Sequence, residues 1–468
     1  MLIGAPKLRH VPPLDRHFMP AALWNRSYEQ LVAHDLRPTT LKLALERSER
    51  DISVFTLQLL SRSVGNDLLT ARYLERMFKF LLWQKGARRV YVTETPYWAR
   101  TLKACYSATG ERRFDANFMG EKVYGTNFAV IEVAPGDMPQ ATEEQALLGR
   151  QWRGCRIGFD LGGSARKCAA LIDGAVVFSE EVPWDPYFQT SVDYHYQGIQ
   201  DSLQRAASHL PRVDAIGGSA AGVYVKNEVR VASLFRGIPQ TDFASSVRPL
   251  FKRLQEDWQG IPFDVINDGE VTALAGAISL NENSVLGISL GTSQAAGFVN
   301  QQGKITSWLN ELAFAPVDYS NRAHIDEWSR DQGCGVQYLS QQAVARLAPK
   351  AGIVFEEDVP LRQRVAAVHQ LMQAGDERAQ SIYLTVGTYL GYSLAQYHRF
   401  YKFKNLLLMG GVTTGIGGEV LLEKASQVLA DEFPEISRSI RIVIPEEKLK
   451  RHGQAIAAAS LPLHYPIP

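Results

Sequence analysis

Apolar positions change their spacing along the chain, and the change marks its organisation. The run LTARYLERMFKFLLW, Leu69 to Trp83, places Tyr73, Phe78, Leu81 and Leu82 at helical spacing. Gly86 follows as a stop signal. Arg89 to Thr93 (RVYVT) reads as a strand, stopped by Pro96. Gly120 to Val133 alternates enough to predict one or two strands. The polar, turn-rich PGDMPQATEEQ, Pro135 to Gln145, reads as a linker or surface loop. Residues 1–150 are therefore expected to form an α+β domain.

From Cys155 the spacing becomes that of strands. RIGFDLGG is an apolar strand ending in two glycines, KCAALID a second and AVVFSEEV a third, with a two-residue hairpin signal at Asp173-Gly174. The plan returns at residue 284 with SVLGISLGTS, QAAGFVN, a turn at Gln302-Gly303 and KITSW. Helical patterns follow each meander, and then a strand ending in glycines. These strands are VDAIGGSAAG, Val213 to Gly222, and NLLLMGGVTTG, Asn405 to Gly415. One plan used twice predicts two similar lobes with glycine turns facing across a cleft, a favoured place for ligands. The expected lobes are 151–267 and 268–451, with a helix in 452–468 (HGQAIAAAS) packing back on the first.

The candidate chemistry sits on the glycine turns. In DLGGSARK, Asp160 to Lys167, Gly162 and Gly163 let the main chain approach a phosphate. Their N–H groups can form an anion nest, with Ser164 as a further donor. Asp160 suits Mg²⁺, directly or through water. The same residues also read as an ordinary hairpin. GISLGTS offers Gly291 and Thr292 for the other side of a polyphosphate. Asp268, in Asn267-Asp268-Gly269, stands between an apolar strand and an Ala-rich helix, where a carboxylate can take a proton from a hydroxyl. It can equally be a helix cap. In GGVTTGIGG, Gly410, Gly411 and Gly415 leave room for a flat nucleobase, or form a tight strand-to-helix turn.

Composition narrows the classes. The 468 residues carry 50 Lys+Arg against 49 Asp+Glu, a net charge of +1, which argues against non-specific nucleic-acid binding. Cys105, Cys155, Cys168 and Cys334 are scattered, with no C-x-x-C pair, so no disulfide framework or zinc ribbon is expected and a reducing compartment is the default. No apolar run approaches the ~20 residues that span a bilayer. Met1 to Pro20 lacks the core of a signal peptide. A cytoplasmic protein without membrane or nucleic-acid partners is the expectation. His195 and His324 are isolated, and no nucleophile elbow or P-loop pattern occurs.

DLGGSARKCAALIDG, GGSAAG, INDGEVTALAGA, LGISLGTSQAAG and MGGVTTG occur in an order that resembles the sugar kinase/hsp70/actin superfamily, and within it the ROK-type sugar kinases. The likeness covers about residues 153–468. It implies an α/β, duplicated ribonuclease H-like (actin-like) two-lobe kinase fold, here with an additional α+β N-terminal domain. It further implies ATP and Mg²⁺, phosphates bracketed by Asp160, Gly162, Gly163, Ser164, Gly291 and Thr292, and an adenosine side at Gly410, Gly411 and Gly415. Asp268 would be the general base. Asn267 and Glu311 would bind a sugar or polyol, with Ser233 near a further sugar-contacting position. A homodimer is the family's habit.

Two departures stand out. The family's Glu-x-Gly-His reads Glu311-Leu312-Ala313-Phe314 here, and only Cys334 stands for the family's zinc-loop cysteines, so no zinc site is expected. The resemblance implies ATP-dependent phosphorylation of a sugar-like hydroxyl. A non-catalytic sugar or nucleotide sensor of the same fold, or a regulator, is the alternative, and another transferase of the superfamily is a further one. No helix-turn-helix with a basic recognition helix is evident in residues 1–150.

Overall fold

The computed structural model describes residues 6–93, 96–143, 149–356, 358–444 and 447–463. The N-terminal region contains α1 (Ala21–Ala33), β1 (Thr39–Ser48), β2 (Asp51–Leu59), α2 (Val64–Lys85), β3 (Arg89–Val92), α3 (Pro96–Cys105), α4 (Arg113–Asn117) and β4 (Ala129–Glu132). Its sheet has the order β2-β1-β3-β4. Ser63 caps α2 by accepting the Asn66 N–H, and Gly86 ends it at φ 74°. Of the one or two strands expected over Gly120 to Val133, one forms. Phe118–Tyr124 winds as a π-helical turn, because Met119 and Val123, four apart, both face inward, and only Ala129–Glu132 is a strand. Of the expected linker, residues 144 and 145 lie outside the described residues. Upstream of them, Thr142 pairs its main chain with Ile52, so the segment runs back along the N-terminal region.

The first glycine-turn unit comprises β5 (Cys155–Leu161), β6 (Ala165–Ile172), β7 (Ala175–Pro183), α5 (Val192–Ala207), β8 (Ala215–Ala220), β9 (Val223–Val225), β10 (Glu228–Val231), α6 (Gln240–Asp242), α7 (Leu250–Asp257) and β11 (Phe263–Asn267). Its sheet runs β11-β8-β5-β6-β7: an antiparallel meander joined by two parallel strands. Asp173 and Gly174 both take positive φ, as a two-residue hairpin of this hand requires.

The chain then passes through α8 (Asp268–Leu280) into β12 (Val285–Leu290), β13 (Gln294–Val299), α9 (Gln341–Leu347), α10 (Leu361–Gln373), α11 (Glu377–Tyr401), β14 (Asn405–Met409), α12 (Gly415–Glu432), α13 (Pro434–Ser439), β15 (Arg441–Val443) and α14 (Glu447–Ala459). The second sheet, β13-β12-β14-β15, repeats the antiparallel-then-parallel plan. KITSW does not add a third meander strand. It bridges Val299 at Ile305 and then leaves the sheet, with Trp308 stacking on Phe298.

The cores follow a different division from the sheets. One continuous apolar core joins α1, α2 and the N-terminal sheet (Tyr28, Leu43, Phe80, Trp83) to the second unit (Leu290, Tyr389, Tyr397). The first unit has its own core, around Phe159, Leu203 and Phe251. The small residues of α14 let it lie against β5 and β8. A Cβ on Gly158 would stand 1.8 Å from the Ala455 carbonyl oxygen, and one on Gly217 1.7 Å from that of Ala458. Among the described residues, no helix is long and apolar enough to cross a membrane.

Candidate active site

The site lies where β11 of the first sheet becomes α8 of the second unit. β11 pairs in parallel with β8, placing Asn267 opposite Ala220. Asn267 is the helix N-cap: its Oδ1 accepts the Gly269 N–H at 2.7 Å, and its Nδ2 donates to the Gly222 carbonyl at 2.6 Å. The expected acceptor contact at Asn267 thus has to share an amide already engaged with main chain. The capping role that the sequence offered to Asp268 falls chiefly to its neighbour, although Asp268 Oδ1 also accepts the Gly269 N–H, at 3.0 Å. The second helical residue pair of Asp268 comes from α14: Gln454 Nε2 donates to the Asp268 carbonyl and, at 2.8 Å, to Thr272 Oγ1.

Asp268 is half-buried, and its pKa is pushed up to about 6, first by loss of water and then by the Asp160 carboxylate. Glu311 is pushed up to about 7 by burial and by Asp268. Three carboxylates therefore feel one another's charge, with Asp268 in the middle. A fourth, Glu270, is pushed up to about 8 by burial, while the Asn310 amide beside it, at 3.5 Å, favours its charged form. A carboxylate with a pKa near 6 is ionised at neutral pH yet basic enough to take a proton.

Asp160 is the penultimate residue of β5, with 5 % of its surface exposed. Burial raises its pKa, against the Ser219 hydroxyl, which donates to it at 2.7 Å, and Lys167 Nζ at 3.7 Å. Sequence reasoning named neither Ser219 nor Lys167 as a site residue. The signal was present, since both lie in motifs already singled out, but the Ser219 contact needs the register that sets it opposite Asp160 on β8. The following turn is tight. Gly162 N–H donates to the Ala165 carbonyl, and a Cβ on Gly163 would strike the Tyr187 hydroxyl at 2.0 Å. Ser164 is exposed.

The second turn mirrors the first. Gly291 N–H donates to Ser293, its carbonyl accepts from Gln341 N–H, and Thr292 is exposed. A cavity of about 370 Å³ extends from Asp268 along Thr272 and Ser289 to Gly410, Thr413 and Gln454. Gly410 lines it, but its glycine requirement has a different origin from the expected nucleobase contact. With φ 101°, the place of its Cβ is already filled by the main chain of Leu290, 2.4 Å away. Gly411 would meet only Gln341, and Gly415 is open at the start of α12. Ser233 stands exposed at the head of a 3₁₀ turn after β10, and no hydrogen bond among the described residues joins it to Asp268 or Glu311. His195 is buried and bonded to the carbonyls of Pro186 and Leu234, a structural role.

Among solved structures, the chain is similar to a ROK hexokinase from Thermus thermophilus, with a TM-score of 0.52 and 21% identity over 65% of this chain and 96% of that one. A ROK-family glucokinase from Streptomyces griseus, solved with glucose and AMPPNP, covers 65% of this chain and 98% of its own at a TM-score of 0.49 and 18% identity. A ROK-family transcriptional regulator, a homologue of the E. coli MLC protein, covers 65% and 76% at 0.49 and 18%. No family model and no curated protein sequence matches the chain. Over about two thirds of its length the chain has the fold of that ROK hexokinase. About a third of this chain lies outside the likeness.

Proposed function

We propose that the protein is a kinase that transfers the γ-phosphoryl group of ATP to a hydroxyl of a sugar or polyol. The observation that carries this reading is the electrostatic line of carboxylates Asp160, Asp268 and Glu311, whose central member stands at the strand-to-helix crossing and lines the cavity that runs to Gly410. Glu311 accepts a hydrogen bond from the acceptor and orients it. Asp268 takes the proton of the attacking hydroxyl as its oxygen bonds to the γ-phosphorus and the bond to the ADP oxygen breaks. The turns at Gly162–Ser164 and Gly291–Thr292 offer the exposed Ser164 and Thr292 hydroxyls to the phosphates, while the Gly162 and Gly291 N–H groups hold the turns themselves together. Phosphoryl transfer needs such positioning and charge stabilisation more than covalent help.

The donor set suits Mg²⁺. The Asp160 charge raises the Asp268 pKa, so a divalent cation between them would relieve both, and Mg²⁺ is commonly held by one or two carboxylates together with substrate phosphates. Asp160, directly or through water, would hold the ion, which neutralises phosphate charge when bound.

ADP release with Mg-ATP across hexoses, amino sugars and polyols tests the proposal, with Asp268→Asn alongside. Acceptor-dependent turnover, reduced ~10²–10⁴-fold in the variant, is expected of a general base. One observation favours a second reading, a sensor without catalysis. Phe314, where the resemblance expects a sugar-contacting His, packs on Trp83 at 4.4 Å between ring centroids. Acceptor binding without ADP release from any panel member would select that reading.

A further inference from the structure

The last turn of α2 ends against the loop that carries Glu311. A helix leaves its final four carbonyls without partners. Here Leu82 O accepts from Gly86 N–H. Trp83 O, Gln84 O and Lys85 O accept from the N–H groups of Glu311, Asn310 and Leu309 at 3.0, 2.9 and 3.2 Å. Three successive main-chain bonds thus tie Glu311 and its two predecessors to the N-terminal region. Asn310, at φ 54°, is held further by the Tyr401 hydroxyl at 2.8 Å.

One helical turn back along α2, Lys79 is fully buried. Its Nζ lies 3.0 Å from Asp115 and 2.9 Å from Asp331. Arg76 and Arg112 also reach Asp331, at 3.1 and 2.5 Å, and both pair with Glu75. The Trp83 indole donates to Asp115 at 2.6 Å. The cations Lys79, Arg76 and Arg112 balance the anions Glu75, Asp115 and Asp331. Burial works against the charge on Lys79, but the neighbouring anions outweigh it and keep its pKa above the ordinary lysine value.

Asp331 belongs to the loop where the resemblance places a zinc site. The residues present do not fit zinc. Among the described residues, no group of three or more His, Cys, Asp or Glu side chains could hold a metal ion. Cys334 is buried, with its Sγ 3.9 Å from the Asp331 carbonyl, and it faces the fixed positive charge of Lys79. A dication there would be repelled by that ammonium.

We propose that α2 of the N-terminal region replaces a metal as the anchor of the acceptor loop: Lys79 fixes residues 326–334 through Asp331, and the end of α2 fixes Glu311. Lys79 is thereby a positioning residue for acceptor binding, in an inference that rests on the kinase reading. It explains why the N-terminal region shares a core with the second unit. It also gives Phe314 its role. The ring packs on Trp83, Phe114 and Phe118, which locks the loop to α2 beside the ion cluster that Trp83 also joins.

The test uses the full-length protein and two readouts. Hydrogen exchange follows the amides of Leu309, Asn310 and Glu311 against those of Leu406–Leu408 on β14. Kinetics follow KM for the best acceptor in the panel against KM for ATP. Lys79→Gln is expected to speed exchange at 309–311 at least tenfold and raise acceptor KM at least tenfold, leaving β14 exchange and ATP KM within twofold. Adding Asp331→Asn restores charge balance and part of the protection. Trp83→Phe keeps the ring and deletes the N–H to Asp115, and it gives the same pattern at smaller size even where Lys79→Gln does not fold. Wild-type protein carries no stoichiometric zinc by mass spectrometry, and chelation leaves protection unchanged. One zinc per chain with chelator-sensitive protection would overturn the proposal. So would exchange that rises equally in both sets, or in neither. A wild type that phosphorylates no acceptor would instead sink the kinase reading, while the exchange arm still decides the anchoring.

Discussion

Replacing Asp268 by Asn should make the protein more stable at the same time as it stops turnover. Burial and the Asp160 carboxylate raise the Asp268 pKa from the ordinary 3.8 to about 6. A group whose pKa is raised on folding binds more protons in the native state than in the unfolded one between those two values. Stability therefore falls as pH rises through that window. A shift of about two units corresponds to ~3 kcal/mol once both states are ionised. Asp268 begins α8, where a negative charge gains ~0.3–1 kcal/mol from the helix dipole, and Asn forgoes that gain. The expected net effect of Asp268→Asn is about 2–3 kcal/mol of added stability at pH 8. About half the titration contribution is present at pH 5, and almost none below about pH 3. For a chain of this length melting as one unit, that is a rise of roughly 2–3 °C. Urea unfolding of both proteins at pH 5 and pH 8 measures the gap. Asn267 holds the cap in both, so loss of a cap does not enter. A variant no more stable than wild type at pH 8, or a gap equal at both pH values, would refute the argument that this carboxylate is held ionised against the fold's preference.

Three further outcomes follow from the same geometry. The kcat/KM for the acceptor should rise with pH between about 6 and 7, because Asp268 and Glu311 must both be ionised, and Glu311→Gln should remove the upper part of that limb in a pH–rate profile. Ser219→Ala deletes the hydroxyl that favours the charged form of Asp160, so the Asp160 pKa climbs further and the Mg²⁺ concentration for half-maximal rate should rise roughly fivefold or more, the equivalent of ~1–3 kcal/mol. Gly410→Ala forces a Cβ into the Leu290 main chain and should cost several kcal/mol in thermal denaturation, on the order of the ~1–3 kcal/mol of backbone strain plus the clash, whereas Gly291→Ala meets nothing closer than 3.6 Å and should keep the fold while raising ATP KM.

The meanders were legible because their signals are local. Alternating apolar positions and the Asp173-Gly174 turn specify a hairpin without help from distant residues. KITSW carries the same kind of signal, yet it does not form a strand, because the chain just beyond it is drawn away by the carbonyls at the end of α2. The π-helical turn at Phe118–Tyr124 was hidden for a related reason: two inward residues four apart look alike to a strand with one slip and to a helix. At the candidate site, the sequence offered both Asn267 and Asp268 as the cap of α8, and only the three-dimensional arrangement assigns the cap to Asn267, because that depends on which side chain turns back to the Gly269 N–H. Lys79 and Asp331 are separated by most of the chain, and nothing local in either residue announces a pair.

The position of Asp268 at the crossing between sheets bears on how such a site can close. Its strand, β11, is hydrogen-bonded into the first sheet beside β8, while its helix, α8, packs on β12 and β13 of the second. Asp160 is carried by the first sheet, and Glu311 by the second unit together with the N-terminal region, which share one core. Under the kinase reading proposed above, rotation of one body against the other about this crossing would bring Asp160 and Glu311 toward a carboxylate that moves least, and would remove water from the space between them. The electrostatic consequence would run the same way. A nearer Asp160 raises the proton affinity of Asp268 further, so a base at this position would strengthen as the cleft shuts, and would be relieved when a phosphate-bound cation or the transferred proton supplies positive charge.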